Sequence, residues 1–222
     1  AALTAVSPIM EKPVVSLMGD GGFWHNGLCN VIVHQVANGN DGILVILKNG
    51  YSAATGHQAI PSTTAEQGGG NARSMDIAET LKALNVGWVK TLRSYDLHSM
   101  VNQLKKAIGS KTPGLKVIIA DGECQLAFQR RNKPLEKKKL AAGERVASAR
   151  FNVDEEVCTG DHSCIRLSGC PSLTIKDSKD PLKKDPVATV VESCVGCGHC
   201  GEVAHEAILC PSFYKTEVVR NG

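Results

Sequence analysis

A chain of 222 residues suffices for one ordinary domain or two small ones, and its 42% hydrophobic and 21% charged residues exclude wholesale disorder and fibrous classes. Twenty-five Lys and Arg against 22 Asp and Glu leave a net charge of +3, too little to argue for a nucleic-acid or membrane surface. The unusual number is nine cysteines, seven of which fall between Cys158 and Cys210. Such clustering in a chain of cytosolic texture points to metal rather than to disulfides. No apolar run reaches the roughly 18 residues of a membrane-spanning helix. The first ten residues also lack the charged-then-apolar order of a secretory leader, so a cytoplasmic location with no membrane or nucleic-acid partner is expected.

In chain order, Val14-Val15-Ser16-Leu17-Met18 reads as a buried strand that runs directly into Gly19-Asp20-Gly21-Gly22. A helix is predicted from about Trp24 to Ala37. Ile43 to Leu47 is a continuous aliphatic run of the kind parallel sheets bury on both faces. Beyond a polar loop, Ser74 is the predicted cap of a helix that carries Ile77, Ala78, Leu81 and Leu84 at helical spacing. Val86 to Val89 is a short strand. Leu97, Met100, Val101, Leu104 and Ile108 share one face of a further helix, and Lys116 to Ala120 supplies the last strand. Strands alternating with helices predict an α/β domain with a mainly parallel sheet over residues 1–128. Four strands make that sheet look partial, as in the C-terminal portion of a larger polypeptide or a fold completed against another chain.

Residues 129–150 carry eight Lys and Arg against two Glu and read as a basic linker. A solvated helix and a docking patch for an acidic electron carrier both fit that charge run, and no interleaved aromatics point to nucleic-acid stacking. Residues 151–222 are rich in Cys, Pro and Gly, and a piece of that size needs a metal or disulfide staple to fold.

Two constellations carry chemistry. Gly19-Asp20-Gly21 sits where a strand opens into a helix, where glycines allow close backbone approach and free N–H groups face an anion. The next strand ends in Asn49-Gly50-Tyr51, so Asp20 and Asn49 belong to the carboxyl ends of two strands of one sheet, the edge at which open α/β sheets gather ligands. A carboxylate, an amide and a backbone carbonyl, together with diphosphate oxygens, make an octahedral Mg²⁺ shell. His25 and His57 lie nearest this edge. Both read first as hydrogen-bonded structural residues, and His57 is the one expected to touch cofactor or substrate.

The chain here resembles the thiamine-diphosphate enzymes, whose motif is Gly-Asp-Gly followed a little under thirty residues later by Asn. The resemblance implies thiamine diphosphate held around Gly19, Asp20 and Gly21, with Mg²⁺ on the Asp20 and Asn49 side chains and the Tyr51 carbonyl. Thr55-Gly56-His57-Gln58 is similar to the Thr-Gly-x-Gln segment of the 2-oxoacid:ferredoxin oxidoreductases and most like their indolepyruvate branch, which adds Thr55, Gly56 and His57 to the cofactor site. The whole chain, from Gly19 to Cys210, resembles the C-terminal part of that branch's large subunit.

The second constellation begins at Cys194-Val-Gly-Cys197-Gly-His-Cys200, followed after a nine-residue gap by Cys210-Pro211. Three cysteines at successive x₂ intervals with a remote Cys-Pro form the bacterial ferredoxin run, whereas zinc sites pair two such hooks. Cys158, Cys164 and Cys170-Pro171 make a looser second copy. In two-cluster ferredoxins each Cys-Pro serves the other cluster. That logic gives one [4Fe–4S] cluster to Cys194, Cys197, Cys200 and Cys170. The other goes to Cys158, Cys164 and Cys210, one thiolate short. Asp161 stands where the regular spacing requires the missing ligand, so this cluster is read as Asp-ligated or as interconverting with a [3Fe–4S] form. The rival reading has Asp161 capping a turn. His162, His199 and His205 beside these cysteines read as supporting or surface residues.

Together the halves predict an enzyme: oxidative decarboxylation of a 2-oxoacid, with electrons leaving singly through iron–sulfur clusters to ferredoxin. By resemblance alone the substrate is an aryl 2-oxoacid such as indolepyruvate and coenzyme A is the acyl acceptor. The resemblance also implies a small beta-type partner subunit and a pyrimidine-binding domain supplied by the rest of the polypeptide or by another chain. The alternatives are the same chemistry on pyruvate or 2-oxoglutarate, and an electron-transfer subunit with a non-catalytic α/β domain.

Overall fold

A computed structural model describes residues 13–64, 73–200 and 210–221, together with Ile9. It divides the chain into two compact units, Ala1–Phe128 and Gln129–Gly222. His205 lies outside the described residues.

The first unit is an α/β layer. Strand β1 (Val15–Gly19) leads without a loop into a helical run, α1, made of Asp20–Gly22, a wider π-helical Phe23–Val33 and His34–Ala37. After β2 (Gly42–Lys48) come a short hairpin of β3 (Tyr51–Ser52) and β4 (Gln58–Ala59), α2 (Ile77–Ala83), β5 (Trp88–Arg93), α3 (Leu97–Gly109) and β6 (Leu115–Asp121). The four long strands form one parallel sheet in the order β1-β2-β6-β5. Leu44, Ile46, Val117 and Ile119 on one face pack with Phe23, Ile32, Ile77 and Leu81 from α1 and α2. Val45, Ile118 and Ala120 on the other face pack with Met100 and Leu104 from α3. Period-2 alternation in the strands, with helices on both faces, produces this double core.

Four local expectations shift. The helix predicted from Trp24 starts at Asp20, because Gly19 is the last extended residue and the backbone turns helical immediately after it. The strand predicted at Val86–Val89 runs over Trp88–Arg93, leaving Val86 as a buried lead-in. Asp76, not Ser74, caps α2: its carboxylate accepts from the Glu79 N–H at 2.8 Å, while the Ser74 hydroxyl turns to the Ser62 carbonyl. Of the five apolar residues assigned to one face of α3, only Met100 and Leu104 reach the core, with Ala107 buried beside them. Leu97, Val101 and Ile108 lie on the flank and stay exposed, since a helix on a sheet buries only the stripe facing it.

In the second unit, α4 (Gln125–Ala141) crosses the division and is followed by β7 (Val146–Val153), α5 (Ser163–Ser168), β8 (Leu173–Lys176), β9 (Val187–Val190) and β10 (Phe213–Arg220). Residues 129–150, expected to be a basic linker with a solvated helix as one reading, hold most of that helix, and only Val146 onward departs from the expectation by entering a strand. Extended Val146 and Ala147 need a partner, and β10 supplies it. The sheets are antiparallel, β7 with β10 and β8 with β9, so the first and last strands of the unit pair with each other.

The cap assignment can be tested. Asp76→Ala is expected to cost about 1 kcal/mol in urea unfolding, and Ser74→Ala only a few tenths.

Candidate functional site

The carboxyl edge of the parallel sheet is organised by one buried carboxylate. Asp20 is 1% exposed. Its Oδ1 accepts from the Gly21 N–H at 2.9 Å, and its Oδ2 from the Asn49 and Gly50 N–H groups at 2.9 and 2.7 Å. The side chain at the end of β1 thus holds the backbone leaving β2. Gly50 takes a positive φ of +87°, which lets two successive N–H groups reach the same oxygen. The Gly50 carbonyl is held in turn by the Thr63 hydroxyl at 2.6 Å. Burial outweighs these donors and pushes the Asp20 carboxyl above the usual carboxylate range, while the N–H groups of Gly50, Asn49 and Gly21 pull it down.

Of the remaining residues expected at this edge, Asn49 and Tyr51 follow directly on β2 and Thr55, Gly56 and His57 lie on the hairpin that comes next. Asn49 Oδ1 accepts from the Tyr51 N–H at 2.9 Å. Tyr51 opens the β3–β4 hairpin, and Thr55, Gly56 and His57 form its tip. The Thr55 hydroxyl donates to Gln58 Oε1 at 3.1 Å and lies 3.0 Å from the Ser52 hydroxyl. His57, at a φ of +60°, stacks its ring on that of Tyr51 with centroids 5.6 Å apart. His25 is exposed on α1.

Sequence reasoning passed over Cys124. Its Sγ lies 3.6 Å from His57 Nε2, and its N–H donates to the Asn49 carbonyl at 3.3 Å. The available signal was its position three residues beyond the end of β6, the strand that pairs with β2 at this same edge. Lys48 and Asp121, paired at 2.8 Å, close the two strand ends together.

The Asp20 carboxylate, the Asn49 amide oxygen and the Tyr51 carbonyl are hard oxygen donors of the kind Mg²⁺ takes. The buried Asp20 charge has N–H partners but no cationic side chain among its bonded neighbours, so the residues present fit a divalent cation and the diphosphate it would bridge.

The second unit repeats one pattern. Each half runs strand, cysteine loop, Cys-Pro-Ser turn, strand. The Cys170 carbonyl accepts from Leu173 N–H and the Cys210 carbonyl from Phe213 N–H. The Ser172 carbonyl accepts from Val191 N–H and the Ser212 carbonyl from Asp154 N–H, so each turn is sewn to the cysteine loop of the other half. Cys158, Asp161, Cys164 and Cys210 consequently line one cavity of ≈ 330 Å³, with Val153, Ala188 and Phe213 among its apolar walls. Burial, and then the Cys210 charge, push the Cys164 thiol up, with Cys158 and Asp161 adding to the shift. Asp161 Oδ1 accepts from the Ser163 N–H at 2.8 Å, which caps the turn into α5 and holds its carboxyl below the usual range. His162, at a φ of +58°, aims Nε2 at the Pro186 carbonyl, 2.8 Å away.

Cys170 and Cys194 flank the Ser172–Ser193 hydroxyl pair, whose oxygens are 2.9 Å apart. The Arg150 guanidinium donates to the Cys194 carbonyl. Cys197 is exposed, and Cys200 and His199 are half-buried at the edge of the described residues. Among the described residues no three His, Cys, Asp or Glu side chains converge tightly enough to bind a single ion. Cys158, Cys164 and Cys210 line the walls of a space instead, and three soft thiols with one carboxylate around an apolar cavity fit a polynuclear iron–sulfur group, whereas among the described residues Cys170, Cys194, Cys197 and Cys200 do not line that space.

Among the described residues no helix is long and apolar enough to cross a membrane.

Without Asp20, three buried N–H groups lose their acceptor, at about 1–3 kcal/mol each. A raised carboxyl pKa means that the folded state holds the proton more tightly than the unfolded chain does. The group's share of stability is therefore full in acid and falls as pH rises through the raised value. Asp20→Ala is expected to lower metal-free stability by about 3 kcal/mol or more in mild acid and by less at neutral pH, read from urea midpoints.

Residues 1–120 match the family described as thiamine pyrophosphate enzyme, C-terminal TPP binding domain. The curated relatives include proteins named indolepyruvate oxidoreductase subunit IorA. That of Pyrococcus abyssi is 31% identical over 212 residues, that of Pyrococcus horikoshii 29% over 218 and that of Thermococcus kodakarensis 27% over 214. Each alignment covers 96% of this chain and 29% of the relative, so the chain spans under a third of the length of the proteins it matches.

Proposed function

The chain belongs to the thiamine pyrophosphate enzymes, of which it carries the C-terminal TPP binding domain, and from that premise we propose that it is part of a 2-oxoacid oxidoreductase acting on an aryl 2-oxoacid of the indolepyruvate kind. The observation that carries the reading is the union, on one chain, of the Asp20–Asn49 edge with a second unit whose cysteines line a cavity. Diphosphate binding alone would serve many carbonyl reactions, and an adjoining iron–sulfur unit selects those in which electrons leave singly. Names of the relatives support the substrate class.

In this reading Asp20, Asn49 and the Tyr51 carbonyl hold Mg²⁺, and the N–H groups opening α1 face the diphosphate. Thiamine diphosphate supplies the chemistry that releases CO₂ from a 2-oxoacid. His57, held against the Tyr51 ring and the Cys124 thiol, is the candidate to touch cofactor or substrate. Cys170, Cys194, Cys197 and Cys200 hold one [4Fe–4S] cluster. Cys158, Cys164 and Cys210 hold another, with Asp161 as fourth ligand once its carboxylate turns from the Ser163 N–H into the cavity it lines. Ferredoxin as acceptor, coenzyme A, a small beta-type subunit and a pyrimidine-binding domain complete the proposed assembly, in the cytoplasm.

The test is anaerobic purification of the intact assembly and a screen of 2-oxoacids with coenzyme A and a dye acceptor. Indolepyruvate is expected to turn over faster than pyruvate or 2-oxoglutarate, and the opposite order would reject the substrate class. Asp20→Asn keeps an acceptor for the Asn49 and Gly50 N–H groups but removes the charge. It is expected to abolish thiamine diphosphate binding while iron content and visible absorbance stay near the parent's.

Asp161 makes a separate expectation. A carboxylate holds iron less firmly than thiolate, so mild oxidation is expected to convert one cluster to a [3Fe–4S] form and leave its neighbour intact, followed by EPR. Asp161→Cys is expected to yield two oxidation-resistant four-iron clusters, and unchanged iron loss in that variant would remove Asp161 from the ligand set.

A further inference from the structure

The β8–β9 connection, residues 177–186, reads Asp-Ser-Lys-Asp-Pro-Leu-Lys-Lys-Asp-Pro, a composition suited to solvent. Part of it nevertheless clasps the segment that leads into the Cys158 cavity. Lys183 Nζ donates to three main-chain carbonyls, those of Glu155 and Glu156 at 2.7 Å and of Cys158 at 3.1 Å. An ammonium has three N–H donors, and each here has its own acceptor. The three carbonyls belong to one helical turn, closed by Cys158 N–H to the Asp154 carbonyl, and a cation is the natural cap for the carbonyl end of such a turn.

The same loop fastens the far end of the segment. The Pro186 carbonyl accepts from His162 Nε2, and a side chain at Gly160 would come within 3.1 Å of Asp185 and of that carbonyl. Lys176, at the foot of the loop, pairs with Glu155 at 2.5 Å. The loop therefore holds residues 155–162 at both ends, while Val157, Cys158, Thr159, Asp161 and His162 line the cavity. Cys158 is left 9% exposed.

We propose that Lys183 is a positioning residue for the cluster at Cys158, Asp161, Cys164 and Cys210, fixing the Cys158 peptide at the cavity wall and setting a positive charge behind it. The proposal rests on the reading of that cavity as an iron–sulfur site. Two effects follow. A ligand loop held before the cluster forms loses less freedom on binding, so iron is retained more firmly. One-electron reduction adds a negative charge to the cluster, and an ammonium nearby favours that state and raises the reduction potential.

In the intact protein purified without oxygen, Lys183→Met removes the charge and the donors, Lys183→Gln removes the charge but keeps donors, and Lys183→Arg keeps the charge. Redox titration with dithionite, followed by EPR, is expected to move one cluster to lower potential in the Met and Gln variants. In the Arg variant that cluster is expected near its parental potential, and the other cluster is expected to stay in place throughout. Iron retention by the affected cluster is expected to weaken roughly tenfold in Lys183→Met. A readout independent of iron is alkylation of Cys158 in metal-stripped protein, resolved by peptide mass spectrometry and expected to be faster in Lys183→Met. If the parent holds no iron on these residues while labelling still accelerates, the cluster reading falls and the clasp stands. A parent with both clusters whose Met and Gln variants keep the parental potential, iron retention and labelling rate would overturn the proposal; should the Met variant fail to fold, the Gln variant decides alone.

Discussion

One buried carboxylate connects the parts of the first unit that matter for its chemistry. Asp20 ends β1, opens α1 and binds the two N–H groups with which the chain leaves β2. Its cost is desolvation, visible in the raised pKa, and three N–H donors offset only part of that. The arrangement is one in which a cation would complete the charge balance, and the family to which the chain belongs binds a diphosphate cofactor at this domain. The edge is accordingly a structural lock, and in the proposed function it is also the place that would hold the cofactor. Cys124 and the Lys48–Asp121 pair extend it to the end of β6, so three strands contribute to one site.

The second unit solves a different problem. With few large apolar residues, it builds its core partly from thiols: Cys158, Cys164 and Cys170 pack with Val153, Leu173, Val187 and Phe213. Exchange of the Cys-Pro-Ser turns between halves makes every strand depend on the distant half. Short antiparallel pairs of this kind are marginal by themselves, and a group held by cysteines from both halves would staple them.

Much was legible from local patterns. Aliphatic runs located β2 and β6, because strands buried on both faces tolerate little else, whereas β1, expected to be buried, is an edge strand that leaves Val15 and Leu17 exposed. Glycines beside Asp20 marked the strand-to-helix junction, and at Gly21 a side chain would come within 3.1 Å of Ser52. One detail that failed was a competition between two residues of similar propensity. Ser74 and Asp76 can both cap a helix, and the Ser62 carbonyl took Ser74 out of the contest. Charge in residues 129–150 said linker, whereas the pairing of Val146 with Arg220 made strand, a choice made by a partner more than seventy residues away.

The sequence by itself determined the order of the long strands and helices of the first unit, the α/β class, and the two constellations of candidate residues, because periodicity, turn residues and cysteine spacing act over a few positions. Tertiary structure alone decided that β2 lies between β1 and β6, that Cys124 meets His57, and that Lys183 caps the turn before Cys158. Each of these closes a loop of some tens of residues. The entropy of closing such a loop grows only slowly with its length, so many pairings compete at similar cost, and burial and hydrogen-bond satisfaction over the whole fold select among them.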